Sequence, residues 1–266
     1  MNTSRTNDVE PAPVHRVALV TGASRGLGAT VASFLAATGH HLVIDARSVD
    51  ALHASAEALR SHGGAVAEVP GDVADADHRS RLVDAARELG GLDLLVNNAS
   101  TLGASPLPRL ADLTAETLRR TLEVNLVAPL ALLRAALPLL TERRGLVVNV
   151  SSDAAIGGYE GWGGYGASKA ALDLATRTLA AELAPTGVAA VAVDPGDLRT
   201  ELHQRAYPGE DIGDRPEPRV TLPFWAWLFA QPGSAVNGQR FHAQEDVWLR
   251  APELLGELFG AAVVVE

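Results

Sequence analysis

Thr21-Gly22-Ala23-Ser24-Arg25-Gly26-Leu27-Gly28 closes an apolar run at residues 16–21 and opens a helical pattern at 28–37. The three glycines have separate tasks. The first permits a tight reversal, the second lets backbone approach a pyrophosphate, and the third lets the helix pack closely on the strand. A helix beginning there points unpaired N–H groups at an anion. A glycine triplet alone also suits a structural turn, but its place between a buried strand and a helix points to dinucleotide binding.

Outward from this loop, short runs rich in Val and Leu recur at residues 42–46, 65–70, 92–97, 146–150 and 188–193, with a seventh expected at 239–242. Their apolar character is continuous rather than alternating, as in strands buried on both faces. Helical segments at 28–37, 49–61, 75–89 and 114–140 lie between them. The pattern predicts an α/β doubly wound Rossmann fold, a parallel sheet of about seven strands with helices on both faces. Residues 1–13 are polar and read as a disordered segment, and 14–266 as one domain with a substrate loop at 197–229 and a tail at 244–266. The stretch 126–140 is apolar on nearly every face, so its second side is expected at a subunit interface of a homodimer or homotetramer.

A net charge of −10 argues against a nucleic-acid partner. The absence of Cys removes thiolate chemistry, and the eight His show no metal-ligand spacing. The apolar stretch 126–140, interrupted by Pro129, Arg134 and Pro138, is too short to span a bilayer. The expected location is cytoplasmic, with no membrane contact and no metal.

Of the 22 basic residues only Lys169 is lysine, four places after Tyr165 in Tyr165-Gly166-Ala167-Ser168-Lys169. That spacing puts both on one helix face. A compact ammonium enters a crowded site where a guanidinium fork does not. Beside a phenol it favours phenolate, moving a group of pKa near 10 toward the range useful for general acid–base catalysis. At the end of the second strand, Asp45, Ala46 and Arg47 offer both an acid for a ribose diol and a base for a phosphate. Strand alternation alone leaves the choice open.

Thr21-Gly22-x-x-x-Gly26-x-Gly28, Asp72-Val73, Asn97-Asn98-Ala99, Asn125, Ser152, Tyr165-x-x-x-Lys169 and Pro195-Gly196 followed by Thr200 occur in that order. In this set the chain resembles the short-chain dehydrogenase/reductase family, in its single-domain NAD(P)-dependent form, from about residue 14 to about residue 243. The resemblance implies an oxidoreductase interconverting carbonyl and alcohol groups. Its cofactor contacts would come from Gly22, Ser24, Arg25, Gly26, Leu27, Gly28, Asp72, Val73, Asn98, Ala99, Tyr165, Lys169, Pro195, Gly196, Leu198 and Thr200. The family's diol-binding acid falls on Ala46, which leaves Arg47, with Arg25, to bracket a 2′-phosphate. The expected cofactor is therefore NADPH/NADP+ rather than NAD(H). The expected relay has Tyr165 as proton donor, Ser152 bonded to the same substrate oxygen, Lys169 supplying field and a ribose contact, and Asn125 holding a water that links Lys169 to solvent.

Several positions depart from the family pattern. Ser100 stands where Gly is usual after Asn-Asn-Ala, a change expected to restrict the loop while removing no catalytic group. Asp194 replaces the common Asn, and His242-Ala243-Gln244 replaces the frequent Asp-Gly-Gly. Substrate selection is expected from the loop at 157–164, with Tyr159 and Trp162, and from 197–229. The aromatic run at 222–229 reads either as pocket lining, favouring a bulky apolar ketone or acyl substrate, or as core. The leading expectation is an NADPH-dependent carbonyl reductase. The alternatives are an NAD-dependent alcohol dehydrogenase using Asp45 and a non-catalytic dinucleotide sensor or scaffold.

Overall fold

The computed structural model of the chain describes residues 15–249. The disorder expected at 1–13, and all but the first residues of the tail expected at 244–266, lie outside them. Seven strands, β1 (Val17–Val20), β2 (His41–Ala46), β3 (Val66–Pro70), β4 (Leu94–Asn97), β5 (Leu146–Val150), β6 (Ala189–Asp194) and β7 (Arg240–His242), form one sheet in the order β3-β2-β1-β4-β5-β6-β7. Every pairing is parallel, with Val17 opposite His41 on one side of β1 and Ala18 opposite Leu94 on the other. The order reverses at β1, which opens a crevice at the carboxyl ends of β1 and β4.

Period-two alternation divides each strand between two cores. Ala18 and Val20 pack with residues of α1 (Gly26–Ala37) and α2 (Val49–Arg60), whereas Val17 and Leu19 pack with residues of α3 (Ala76–Glu88). Both faces are covered, so all four residues of β1 are buried. This explains a continuous apolar run, in which each Val or Leu stabilises the fold by roughly 1.5–3 kcal/mol relative to exposure.

The predicted helix at 114–140 is α4 (Ala115–Leu122), a π-helical turn (Glu123–Val127) and α5 (Ala128–Arg143). Together they make a 29-residue rod that is long and apolar enough to cross a bilayer by length and composition, yet half of its most apolar window is packed inside the protein. Leu132, Leu133, Ala136, Leu139 and Leu140 enter the core, while Val127, Arg134, Ala135 and Pro138 are exposed. The second face expected to be buried is thus open within one chain.

After β5 the chain forms α6 (Gly163–Leu183), then β6, α7 (Glu201–Ala206) and α8 (Leu222–Ala230). The region expected as an irregular loop at 197–229 contains α7, a 3-10 turn (Pro218–Thr221) and most of α8, with 207–217 irregular between them. Phe224 and Trp225 are fully buried against the α1 side of the sheet, and the Trp225 indole N–H donates to Thr221 Oγ1 at 2.9 Å. The aromatic run is core.

Candidate active site

A cleft of about 890 Å³ occupies the crevice. At its floor, Gly22 and Gly26 have φ of 68° and 56°, the left-handed region that favours glycine. A Cβ on Gly28 would lie 2.3 Å from the Gly22 carbonyl oxygen, so the helix reaches the loop only without a side chain. Side chains of Ser48, Asp75, Thr114 and Thr200 cap α2, α3, α4 and α7, but none caps α1. Its first-turn N–H groups therefore suit an anion. Asn98 ties the loop to β4, donating from Nδ2 to the carbonyls of Thr21 at 2.8 Å and Gly22 at 3.2 Å.

Beneath the loop, Asp45 is turned into the protein. Its Oδ1 accepts the Gly22 N–H at 2.7 Å, and Oδ2 meets His78 Nε2 at 2.9 Å. Arg81 can only donate to His78 Nδ1, at 3.3 Å, so the ring proton sits on Nε2 and points at Asp45. Burial raises the Asp45 carboxyl pKa, against the hydrogen bonds from His78 and Gly22. Asp45 lies on the α3 side of the sheet, where both carboxylate oxygens already have partners in Gly22 and His78. Asp45, Ala46 and exposed Arg47 all border the cleft, with Asp45 buried. Arg25 also lines it but pairs with Glu201 at the start of α7. Asp72 accepts from Ala74 N–H and pairs with Arg120, a cleft residue the sequence reading did not single out. Burial alone would raise the Asp72 carboxyl, but these two partners outweigh it and hold it below its ordinary value.

Every residue expected to touch the cofactor lines this cleft. So do Ser152, Tyr165 and Lys169; Asn125 lies behind the wall, fully buried on the π-helical turn. Asn97 Nδ2 donates to Asn149 Oδ1 and Asn149 Nδ2 to Thr176 Oγ1, both at 2.8 Å, pinning α6 to β4 and β5. This fixes the rotation of α6 and hence its Tyr165–Lys169 face. Lys169 Nζ donates to the Val150 carbonyl at 2.7 Å and stands 5.5 Å from the Tyr165 ring centre. Burial lowers the Lys169 ammonium to about 8, opposed by Asp173. Burial also pushes the Tyr165 phenol upward, with Asp194 and Asp153 adding to the rise and the hydroxyls of Ser100 and Ser152 opposing it. Desolvation therefore outweighs the expected effect of the ammonium on the phenol.

Ser152 Oγ donates to Asp153 Oδ1 at 3.0 Å and accepts from Ala154 N–H at 3.2 Å. Its carbonyl accepts from Arg240 Nη2 at 2.8 Å, while the same guanidinium reaches Asp194 at 3.2 Å and, through Nε, Asp173 at 2.9 Å. The sequence reading missed Arg240. Its one signal was Asp194 in place of Asn, an acid that called for a buried base. Gln244 Nε2 donates to the carbonyls of Pro195 at 2.8 Å and Asp197 at 3.1 Å, so the residue replacing part of Asp-Gly-Gly braces the Pro195-Gly196 turn. At the outer end of the cleft, Trp162 packs edge-on against Tyr165 at 5.6 Å, and Tyr207 lies tilted against His203 at 5.2 Å. With Leu102 and Leu202 they form an apolar wall.

The family described as short chain dehydrogenase matches residues 16–211. Human "Dehydrogenase/reductase SDR family member 2, mitochondrial" is 38% identical over 200 residues, which is 74% of this chain and 70% of that protein. Among solved structures, an alcohol dehydrogenase from the archaeon Thermococcus sibiricus complexed with 5-hydroxy-NADP superposes with a TM-score of 0.76 at 28% identity, covering 85% of this chain and 95% of the other. An NAD+-bound xylitol dehydrogenase superposes with a TM-score of 0.76 at 25% identity, covering 85% and 96%.

Proposed function

The chain belongs to the short chain dehydrogenase family, and from that premise we propose that it is an NADPH-dependent carbonyl reductase, reversible as an alcohol dehydrogenase. That it is an NAD(P)-dependent oxidoreductase follows from the family; the cofactor preference, direction and substrate class are the proposal. One observation carries it: Tyr165, Lys169 and Ser152 share the wall of the cleft whose floor is the glycine loop.

The residues fit a dinucleotide. The uncapped α1 terminus and bare Gly28 would take the pyrophosphate, Asp72 and Val73 the adenine, and Arg47 a 2′-phosphate. Preference for NADPH is supported by Ala46 at the diol position and by Asp45, whose carboxylate is engaged with Gly22 and His78. That engagement weighs against the NAD-dependent alternative. The cofactor, when bound, exchanges hydride with the substrate carbon.

The chain handles the proton. Tyr165, raised by burial, is protonated at neutral pH and donates to the oxygen of the nascent alcohol. Ser152 holds that oxygen by redirecting its hydroxyl from Asp153. Lys169 and Arg240 offset the acids around the resulting phenolate. The wall of Trp162, Tyr207 and Leu202 fits an apolar ketone. The exposed strip of α5, with Leu174 exposed on α6, is assigned to a homo-oligomer contact. A sensor or scaffold would have no need of the complete Tyr165, Lys169 and Ser152 set. The test is turnover of a panel of aryl and alicyclic ketones with NADPH by the chain and by Tyr165→Phe. Loss of turnover in the variant supports the reading, and near-normal turnover removes it.

A further inference from the structure

Ser100 follows β4 and lines the cleft together with Tyr165 and Ser152. Its Oγ donates to Asn125 Oδ1 at 3.2 Å. That oxygen also accepts the Thr101 N–H at 2.8 Å, and Asn125 Nδ2 donates to Thr101 O at 2.9 Å and Ser168 Oγ at 3.0 Å. The Asn125 carboxamide therefore keeps a partner on each end when Ser100 turns away, so releasing this bond leaves no orphaned polar group. On its other side Ser100 is, with Ser152, one of the two hydroxyl neighbours of the Tyr165 phenol. Ser152 already donates to the Asp153 carboxylate, a charge-assisted bond stronger than the Ser100 bond to a neutral amide. Of the two hydroxyls, the Ser100 proton is the easier to redirect.

We infer that Ser100 is a further catalytic residue, whose hydroxyl moves from Asn125 to the phenolic oxygen of Tyr165 as that oxygen becomes negative. The inference rests on Tyr165 being the proton donor proposed above. In reduction the Tyr165 O–H bond breaks and an O–H bond forms on the substrate oxygen, whose carbon has taken hydride from NADPH. The negative charge passes to the phenolic oxygen until a solvent proton replaces the one lost. Ser100 keeps its own proton throughout and changes only its acceptor.

The surroundings give such a donor a task. The charged groups facing the phenol are Lys169 from its own helix, Asp153 after β5 and Asp194 at the end of β6, the last paired with Arg240 of β7. Two of the three oppose phenolate. The third is buried, bound to the Val150 carbonyl and lowered to about 8. A hydroxyl adds stabilisation that needs no charge. The family's usual glycine at this position has none to give.

The experiment follows tyrosinate absorbance at 295 nm against pH in the full chain at saturating NADP+. Of the three tyrosines, Tyr165 is isolated by subtracting the curve of Tyr165→Phe. Ser100→Ala and Ser100→Gly are expected to raise the Tyr165 midpoint by about one pH unit, a tenfold change matching the low end of a hydrogen bond to a charge. Ser100→Thr, which keeps the hydroxyl, is expected to stay near the parent value. An unmoved midpoint in both the Ala and Gly variants overturns the inference. Turnover of the ketone panel by Tyr165→Phe separates the two failures: retained turnover ends the Tyr165 reading, whereas lost turnover with an unmoved midpoint ends only that of Ser100.

Discussion

Lys169 is the one lysine in 266 residues, which makes its ammonium measurable in isolation. It is buried, and burial brings it down to about 8 from an ordinary value of 10.5. The difference corresponds to roughly 3 kcal/mol of unfavourable burial of the charged form. The folded chain releases this proton near pH 8 and the unfolded chain near 10.5, so between those values the unfolded state binds more protons. Stability must then rise with pH across that window, by up to the same ~3 kcal/mol. Tyr165 works in the opposite sense but only above pH 10, because its folded value is raised. Lys169→Met removes the lysine contribution and leaves the others in place. Two assays apply. Labelling with ε-¹³C-lysine gives a single resonance in the folded chain, with an expected midpoint near 8. Urea unfolding of parent and Lys169→Met between pH 7 and 10 should show the stability difference moving in favour of the parent as pH rises. A resonance midpoint at 10 or above, or a difference independent of pH, refutes the reasoning.

Three further outcomes follow from the geometry. Arg47→Ala should lower the preference for NADPH over NADH by tenfold to a hundredfold, the range of a charge-assisted hydrogen bond of roughly 1.5–3 kcal/mol; an unchanged ratio in paired titrations contradicts the phosphate role. Asp45→Asn keeps an acceptor for Gly22 but turns an N–H toward the His78 N–H, so urea unfolding should show a loss of roughly 1–3 kcal/mol with weaker NADPH binding. Parent-like values for both would remove the carboxylate's place under the loop. Phe224→Ala should destabilise by roughly 3–5 kcal/mol in thermal unfolding while leaving the ranking of ketone substrates unchanged; an altered ranking would return the aromatic run to the pocket.

The fold was legible because strands covered on both faces must be apolar at every position, as in β1, and because helix pitch and capping residues such as Ser48 and Asp75 mark the segments between them. The candidate site was legible because its parts lie close in sequence: a glycine loop, and Tyr165 one helical turn before Lys169. What stayed hidden depends on residues meeting across the fold. Alternation assigned Asp45 a face, but only the docking of α3 brings His78 to it. Arg240 meets Asp173 and Ser152 from 67 and 88 positions away. Ser100 was read as a lost glycine, since its neighbours Asn125 and Tyr165 come from two other segments. The direction of the Tyr165 shift followed from depth of burial, which spacing along a helix does not reveal. The aromatic run 222–229 was ambiguous for the same reason: composition tells what a side chain prefers, not which apolar surface receives it.

Among the described residues the last strand, β7, is three residues long and pairs with β6 alone, at the sheet's edge. So short an edge is the place where a sheet opens first, well below the free energy of global unfolding. Here it also carries Arg240, whose guanidinium links two acids and the serine carbonyl beside the reacting atoms. Each time this edge frays, Asp173 and Asp194 lose their shared guanidinium partner while the remaining sheet persists. Catalytic competence is thereby coupled to the least secure strand, and in rising denaturant activity should disappear at lower concentration than the helical signal of the fold.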